Sequence, residues 1–445
     1  MLAIRPYHVF DICTKEITMT GAILIVSSLD TKGQEVKFLK GLIEQKGHKT
    51  ILLDMSTRGK PAIPVDISCE EVARSAGKNM EEIRTSIKSR SEITSLMIEG
   101  AIKKVMELYQ AGKVGGIVGV GGVSNTAMAT DIMKALPFGV PKLMVSSGAA
   151  MPSYAGGFFG SSDMAIISSV VDMAGLHELS KSVLTRAAGA ICGMVESGAS
   201  SVLDLLKRTD KPLIAVTQFQ YSEVCCDFIR QYLEEKGYIV IPCHADGVGD
   251  RAMEKLLDQG IFDGVADIVP GGLSEQLFGG NRAGGPDRLE AAGKRGVPQV
   301  ITPCGFEMIS CGPLLRKDKG DPLWISRNLA ARNYFVQDFY RVQAKTNAEE
   351  LKLVAKAVAE KLNRAKGPVK FLIPVRGWSS LSVKDQPLYD PDADRVFLEE
   401  LKKQLKPEIE IRELDVHLNT PEFAMAVVEA FEAMMKEKES RKSMP

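Results

Sequence analysis

The stretch Val114–Thr126, which reads V-G-G-I-V-G-V-G-G-V-S-N-T, holds the residues whose types and spacing best suit ligand binding. An apolar, β-branched run leads into Gly121 and Gly122, and a segment compatible with a helix follows. Between them lie Ser124, Asn125 and Thr126. Glycines let a ligand approach the backbone, and free N–H groups at a helix start attract anions, most often phosphate. The alternative is a plain tight turn, because the motif lacks the Lys-Ser/Thr of a P-loop and fits G-x-G-x-x-G only in part.

A second polar group, Asp30-Thr31-Lys32-Gly33, follows the first apolar run of the chain. Lys32 could pair with phosphate, while Asp30 could hold a ribose hydroxyl, a metal-bound water or a reacting proton. The alternative is a solvated turn that caps the next helix. We favour a functional role because the Gly121 turn should open on the same sheet edge, and we count Asp30 among the candidate catalytic residues.

Polar residues also bracket a long loop of small residues, Ser146 to Asp163. Loops of this length in compact domains are often binding segments. Ser146 and Ser147 could wrap the nucleotide site, and Ser162 and Asp163 could contact a substrate. Capping of a following helix by Ser162 or Asp163 is an equally good interpretation.

In the second half, His244 ends a predicted strand and is followed by Asp246, Asp250 and Arg251. Histidine at a strand end, near carboxylates, can act as a general base or a metal ligand, or it can be a plain loop residue. Glu307 follows a strand in P-C-G-F-E-M and is a second candidate proton carrier. Cys304, in the same segment, would be a nucleophile only if a base lay close, so an inert thiol is the favoured interpretation.

Two arginines are candidates for substrate binding. Arg282 lies in a glycine-rich segment whose other charged residues are Glu275, Asp287, Arg288 and Glu290. Structural salt bridges are the favoured interpretation of that group. Arg376, in R-G-W-S-S, could form an anion clamp with an aromatic wall.

Composition limits the class of protein. With 445 residues the chain exceeds what one hydrophobic core usually supports, so two domains, or three, are expected. Lys+Arg and Asp+Glu both number 56, so the formal charge is zero and does not favour nucleic acid or an anionic membrane as partner. Near-neutral charge is compatible with a homo-oligomer. The eight cysteines lack C-x-x-C spacing, which predicts reduced thiols in a cytoplasmic protein without a structural zinc site.

The order of elements predicts an α/β fold. Ala22–Ser28 forms a buried strand, 29–33 a loop, 34–45 a helix and 48–54 the next strand, which makes a βαβ unit. Further on, helical patterns cover 69–110 and 164–195, on either side of the central stretch and a strand at 142–146. The signatures H-E-x-x-H and G-x-S-x-G are absent from the sequence, which counts against those enzyme classes.

The pattern then repeats. P-L-I-A-V-T from Pro212 echoes A-I-L-I-V-S, G-V-A-D-I-V-P-G-G echoes G-G-I-V-G-V-G-G, and G-V-P-Q-V-I-T-P-C-G echoes G-V-P-K-L-M-V-S-S-G. These ordered matches predict two Rossmann-like domains, with mainly parallel sheets and flanking helices, related by internal duplication. We place the domains at 19–208 and 209–438, after a leader at 1–18 that need not be native, since Met19 could be the functional start. Residues 439–445 form a tail.

In combination, several motifs resemble the Tm-1-like ATP-binding domain family, also called UPF0261. They are L-D-T-K-G-Q-E, G-V-G-G-V-S-N-T-A, L-P-F-G-V-P-K-L-M-V-S, G-S-S-D-M, V-V-D-M-A-G-L, P-V-R-G-W-S and D-V-H-L-N. The resemblance runs from about Met19 to about Glu432. It implies two Rossmann-like subdomains and ATP binding. By motif it assigns the nucleotide to Asp30, Thr31, Lys32, Gly121, Gly122, Ser124, Asn125 and Thr126.

The leading hypothesis is a protein that binds ATP, or a related phosphorylated ligand, on the glycine edge of its first domain. A cleft shared with the second domain would hold a small polar substrate, with Asp30, His244 or Glu307 as proton carriers and Mg²⁺ as a helper ion. One alternative is a non-catalytic, nucleotide-gated binding module. Another is a hydrolase or lyase whose anion site binds a phosphorylated or carboxylate substrate. Whether the protein is an enzyme is left open, and no protein metal ligands are assigned.

Overall fold

The computed structural model describes residues 21–87, 89–198 and 210–442. The chain divides into two compact units, Met1–Leu205 and Leu206–Pro445. The leader, with its suggested start at Met19, and the end of the predicted tail at 443–445 lie outside the described residues.

The first unit is built on a 5-stranded parallel sheet in the order β2-β1-β3-β4-β5. Its strands are β1 (Ala22–Ser27), β2 (Thr50–Asp54), β3 (Val114–Gly121), β4 (Lys142–Ser146) and β5 (Ala165–Ser168). Its helices are α1 (Leu29–Gln45), α2 (Cys69–Ser75), α3 (Met80–Ser86), α4 (Arg90–Gln110), α5 (Val123–Ala135), α6 (Pro152–Phe159) and α7 (Glu178–Glu196).

Both faces of this sheet are covered by helices. Because side chains alternate along a strand, Leu24 and Val26 pack with residues of α2, α4 and α5, whereas Ile23 and Ile25 pack with residues of α1 and α7. Burial on both faces explains why the strands read as continuous apolar runs.

The second unit has a 6-stranded parallel sheet in the order β14-β13-β9-β8-β6-β7. Its strands are β6 (Leu213–Gln218), β7 (Ile239–His244), β8 (Gly264–Asp267), β9 (Gln299–Ile301), β13 (Val369–Pro374) and β14 (Glu410–Leu414). A 3-stranded antiparallel sheet, ordered β10-β12-β11, contains β10 (Met308–Ser310), β11 (Tyr334–Val336) and β12 (Val342–Lys345).

The helices of the second unit follow in chain order. They are α8 (Glu223–Glu235), α9 (Val248–Asp258), α10 (Gly272–Phe278), α11 (Ala291–Arg295), α12 (Leu315–Asp318), α13 (Pro322–Ser326), α14 (Ala348–Leu362), α15 (Pro391–Gln404) and α16 (Pro421–Lys442). None of the helices in the described part of the chain combines the length and the apolar content that a membrane span requires.

The two parallel sheets share a strand order. Strands β7-β6-β8-β9-β13 run in the same sequence as β2-β1-β3-β4-β5, and β14 adds a sixth strand. The predicted fold class, two Rossmann-like α/β units with parallel sheets, is confirmed, and the common order supports the predicted duplication.

Three local expectations were wrong. The segment 29–33 is the first turn of α1 rather than a loop, because Asp54 and Ser56 accept its free N–H groups. The loop after β4 contains α6, which begins with Pro152 at the position that proline favours. The segment predicted as one helix from 164 contains β5, which pairs with β4, before α7 begins at Glu178.

Candidate functional site

The first sheet has a topological switch point between β1 and β3, because the chain continues to β2 on one side and to β4 on the other. Open α/β sheets bind ligands at the carboxyl ends of strands beside such a point. Here the Ser28 hydroxyl donates to Asn125 Oδ1 at 2.7 Å, and the Ser27 hydroxyl donates to the Val120 carbonyl at 2.8 Å. The start of α1 and the Gly121 turn therefore lie at one edge.

The N-terminus of α5 is the feature of this edge best suited to hold an anion. Gly122 is its N-cap, and no described side chain caps it. The Thr126 N–H donates to the Gly122 carbonyl at 2.8 Å, so the N–H groups of Val123, Ser124 and Asn125 precede the first intrahelical bond. Val123 and Ser124 are exposed. These donors and the helix dipole favour negative charge at this position.

The two glycines of the turn have separate roles. Gly121 has φ +154°, and a Cβ there would lie 2.5 Å from Asn125 Cβ, so a larger residue would displace the asparagine. A Cβ on Gly122 would meet its nearest atom, Ser147 Oγ, at 3.6 Å, so the backbone at the N-cap is uncrowded. The turn thus needs Gly121 for its own geometry, while Gly122 leaves space in front of the helix.

Beside the turn, a pair of buried hydroxyls supports an exposed one. Thr126 Oγ1 donates to the Gly122 carbonyl at 2.9 Å and lies 2.6 Å from Ser146 Oγ. Ser147 is exposed, and its hydroxyl donates to Asp172 Oδ1 at 3.2 Å. Thr126 and Ser146 therefore fix the turn from below, and Ser147 is the hydroxyl of this group that a ligand can reach.

Asp30, Thr31 and Lys32 are engaged within the fold. The N–H groups of Leu29 and Asp30 donate to Asp54 Oδ1 at 3.0 Å and Ser56 Oγ at 2.9 Å. Asp30 Oδ2 accepts from the Gly59 N–H at 3.0 Å, and Thr31 Oγ1 donates to the Ser28 carbonyl at 3.2 Å. The Lys32 ammonium donates to the carbonyl of Met173. Each of the three residues thus has a structural role within the fold, and its role in nucleotide binding stays a prediction.

The loop after β5 carries a residue that the sequence reasoning did not assign. Asp172, exposed in this loop, contacts Ser147 at the candidate site. Two residues earlier, Val170 has φ +64° and is 89% exposed, an unfavourable conformation for a β-branched residue. The motif V-V-D-M-A-G-L contributes only to the family resemblance, because the sequence predicts a helix for this segment. Asp172 is therefore not among the predicted site residues.

Asp163 has a structural explanation. Lys142 is fully buried, and its ammonium donates to Asp163 Oδ1 at 2.7 Å. The Gly139 N–H donates to Asp163 Oδ2, also at 2.7 Å. The carboxylate thus compensates a buried charge, while Ser162 is half-buried beside it. Substrate binding by these two residues stays untested.

The acidic residues that follow His244 do not gather around it. His244 is exposed at the end of β7. Asp246 Oδ1 accepts from the N–H groups of Val248 at 2.9 Å and Gly249 at 2.8 Å, so it caps the start of α9. Asp250 is buried and bonds to Arg288. The structure therefore gives His244 no carboxylate partner from this segment.

Arg288 fills the switch point of the second sheet, which lies between β6 and β8. Its buried guanidinium bonds to Asp250 at 2.8 Å, to Glu254 at 3.2 Å and to Asp267 at 2.6 Å. Thr217 at the end of β6 also donates to Asp267, at 2.8 Å. Burial raises the pKa values of Asp250 and Glu254, and Arg288 opposes this by favouring their ionised forms.

The remaining candidates of the second unit are separate from one another. Arg282 bonds to the buried Glu275 at 2.9 Å and lies 5.0 Å from the centre of the Phe219 ring, just after β6. Arg376 is paired with the exposed Asp415 through two bonds of 2.7 Å, and Trp378 is buried rather than forming an aromatic wall. The expected salt bridges in the 275–290 segment are thus present.

Glu307 is fully buried, and burial raises its pKa. Its Oε2 accepts from the Gly305 N–H at 2.7 Å. Burial also raises the pKa of the nearby Cys304 thiol well above its usual range, which favours the inert thiol over a nucleophile. Within the described residues, no group of three or more His, Cys, Asp or Glu side chains is placed to hold a metal ion.

Fold and site together define a two-domain α/β protein whose first sheet presents an uncapped helix N-terminus at its switch point. Residues 21–200 match the N-terminal domain, and residues 211–435 the C-terminal domain, of an uncharacterised protein family, UPF0261. The chain belongs to the UPF0261 family.

Relatives span nearly the whole chain. A UPF0261 protein of Clostridium tetani is 33% identical over 94% of this chain and 100% of its own length. A UPF0261 protein of Brucella suis is 32% identical over 94% of this chain and 97% of its own length. The ToMV resistance protein Tm-1(GCR237) of Solanum lycopersicum is 31% identical over 71% of this chain, which corresponds to 41% of that protein.

Proposed function

We propose that the first unit binds ATP, or a related phosphorylated ligand, with its phosphates at the N-terminus of α5. The observation that carries the proposal is the contrast between two neighbouring helices. The first N–H groups of α1 are satisfied by Asp54 and Ser56, whereas α5 begins at a glycine without a side-chain cap. A phosphate oxygen would provide the acceptors that α5 lacks.

The surrounding residues support a phosphate ligand. Ser147 offers a hydroxyl at the rim, and Gly122 leaves room for an oxygen close to the backbone. Asn125 holds the start of α5 against β1 through Ser28, so the donors are fixed before the ligand arrives. The motif resemblance, to a family named for ATP binding, favours a nucleotide over free phosphate.

Asp172 is the group that would place a magnesium ion. It is an exposed carboxylate bonded to Ser147, and Mg²⁺ bound with nucleotides usually takes one or two carboxylates besides phosphate oxygens. Asp172 would be the protein ligand of that ion, and Ser147 holds its carboxylate in place.

The sharpest test uses a substitution whose effects on stability and on binding have opposite signs. Ser124→Asp puts a negative charge in the first turn of α5, where the helix dipole stabilises it by roughly 0.3–1 kcal/mol. The same charge should weaken ATP binding by roughly 10- to 100-fold through repulsion of the phosphates. Isothermal titration calorimetry and thermal unfolding measure the two effects, with Ser124→Asn as the neutral control.

A second variant removes a donor without adding charge. Proline is favoured at the first helical position, so Val123→Pro should keep α5 folded while it deletes the N–H group of residue 123. We expect affinity to fall by about tenfold or more, since charge-assisted hydrogen bonds contribute about 1.5–3 kcal/mol. If ATP binds both Ser124→Asp and Val123→Pro as tightly as the original protein, the site lies elsewhere.

Incubation with ATP and Mg²⁺ separates an enzyme from a binding module. Release of ADP or phosphate, with or without a co-substrate, indicates nucleotide-dependent transfer or hydrolysis. ATP recovered intact after long incubation, while it still shifts the melting temperature, indicates a nucleotide-gated module. A melting shift with sugar phosphates or organic acid phosphates but not with ATP indicates that the anion site binds substrate.

A further inference from the structure

A groove of about 420 Å³ lies in the second unit between α15 and the β13–β14 edge of the sheet. Its walls include the apolar side chains Ile373, Val375 and Leu398 and the tryptophan Trp378. Asp394, in the first turn of α15, is one of the acidic residues that line the groove. A volume of this size suits a small molecule with an apolar body.

Behind Asp394 lies a buried ion pair. The Lys345 ammonium, on β12, donates to Asp394 Oδ1 at 3.0 Å, and the two side chains are only 8% and 13% exposed. Asp394 Oδ2 has no partner among the described residues. Lys345 thus fixes the carboxylate and leaves one of its oxygens for the groove.

Glu307 adds a second buried carboxyl group close to this pair. It is fully buried, and its charge acts on Asp394. Lys345 and Ser379 favour the ionised form of Glu307, but burial outweighs them and raises its pKa. Lys345 therefore acts on both carboxyl groups, and it bonds to Asp394.

The two cationic side chains at the mouth have carboxylate neighbours of their own. Lys402 is already bonded to Glu413 at 2.5 Å, and Arg395 lies 3.9 Å from the exposed Asp392. Glu399 adds a further acidic side chain to the lining, and the charge of Asp390 also acts on Asp394.

We propose that this groove binds a small organic ammonium compound, whose charged nitrogen contacts Asp394 and whose apolar part lies against Val375 and Leu398. The site is independent of the nucleotide site of the first unit. An ammonium group would donate to Asp394 Oδ2, and the apolar walls would exclude water from the pair.

Binding should be coupled to proton release. Burial, together with the charges of Glu307 and Asp390 and against the effect of Lys345, raises the pKa of Asp394 to about 7. Below this pH the free site holds a proton on the carboxyl group, and the incoming ammonium displaces it to solvent. Affinity should therefore rise with pH and level off once Asp394 is ionised in the free protein.

The test compares three probes of one shape on the full chain: benzylamine, benzyl alcohol and benzoate. Calorimetry should show saturable binding of benzylamine in the roughly millimolar range expected for so small a ligand. The alcohol and the benzoate should bind at least about tenfold more weakly. Titrations in buffers of different ionisation enthalpy should show proton release at about pH 6 and little at about pH 8.

Two variants locate the site. Asp394→Asn should lower benzylamine affinity about tenfold and abolish the pH dependence. Asp392→Asn, on the same turn but with its side chain 90% exposed, should change neither. Lack of saturable benzylamine binding to the original protein overturns the proposal. Benzoate binding as tightly as benzylamine, or full affinity in a folded Asp394→Asn variant, also overturns it.

Discussion

The switch points of the two sheets occupy equivalent positions in one strand order, yet they are filled differently. In the first sheet, Ser27, Ser28 and Asn125 join β1 to β3 with neutral hydrogen bonds, and the N-terminus of α5 stays uncapped. In the second sheet, a buried arginine and three carboxylates occupy the corresponding position. A duplicated fold thus provides two equivalent edges, but side chains decide which of them can receive a ligand.

The two edges differ in whether their hydrogen-bond donors already have acceptors within the protein. The Arg288 guanidinium donates to Asp250, Glu254 and Asp267, so this edge does not require an acceptor from a ligand. At the other edge, no described side chain caps the first backbone N–H groups of α5. The residues that join the strands there, Ser27, Ser28 and Asn125, are uncharged. The need of the α5 edge for negative charge can be met by a phosphate.

The largest effect should come from breaking the charged switch point. Arg288→Met leaves Asp250, Glu254 and Asp267 buried without a counter-charge, which should lower the free energy of unfolding by about 3–5 kcal/mol. Urea unfolding followed by tryptophan fluorescence measures it, since Trp324 and Trp378 both belong to the second unit.

Arg251→Met is the matched control, because Arg251 is exposed and sits next to Asp250 on α9. Its effect should stay within about 0.5 kcal/mol. A loss below about 1 kcal/mol for Arg288→Met would mean that the network contributes little to the second unit.

A smaller effect should distinguish the two edges by ligand. At about 100 times its dissociation constant, ATP should stabilise the folded first unit by about 2.7 kcal/mol. Hydrogen exchange should then slow at residues 122–126 and 147–148. The equivalent turn of the second unit, Gly271–Ser274, should exchange at an unchanged rate. Equal protection of both turns would contradict the assignment of the ligand to one edge.

A further effect concerns pH. The folded pKa of Asp394, about 7, lies above its usual value of 3.8, so between these values the folded state binds more protons than the unfolded state. The contribution of this group to stability therefore falls as pH rises from about 4 to about 7 and then stays constant.

Asp394→Asn should reduce the decrease in the free energy of unfolding between about pH 4 and pH 7, measured by tryptophan fluorescence of the second unit. Asp392→Asn should leave that decrease unchanged. The first unit should lack a comparable decrease, because the pKa values of its carboxyl groups Glu44, Glu70 and Glu178 are lowered rather than raised. An identical pH profile for the original protein and Asp394→Asn would contradict the origin of the slope.

Much of the fold could be predicted because buried parallel strands have a strong signature. The strand at 142–146 was predicted with its observed bounds, and β1 was within one residue. The short strands β5 and β10–β12 were missed, because segments of three or four residues carry little periodic signal. The start of α1 was misplaced because its first N–H groups are accepted by residues distant in sequence, Asp54 at the end of β2 and Ser56 just after it.

The candidate site was predictable only in outline. The G-G-V-S-N-T turn indicated the candidate anion site, because glycines and a helix start are local signals. Asp172 and Asp394 were not found, since their significance arises from Ser147 and Lys345, to which they bond across the fold. The sequence likewise did not show that Asp163, a predicted substrate contact, is the partner of the buried Lys142.

The sequence by itself determined the two α/β units, their repeated strand order and the glycine turn at the end of β3, because apolar periodicity and turn chemistry act over short distances. Only the tertiary structure decided which polar groups remain available. Whether an N–H, a carboxylate or a guanidinium has a partner depends on residues far away in the chain. That pairing left the α5 terminus uncapped and filled the equivalent edge with Arg288.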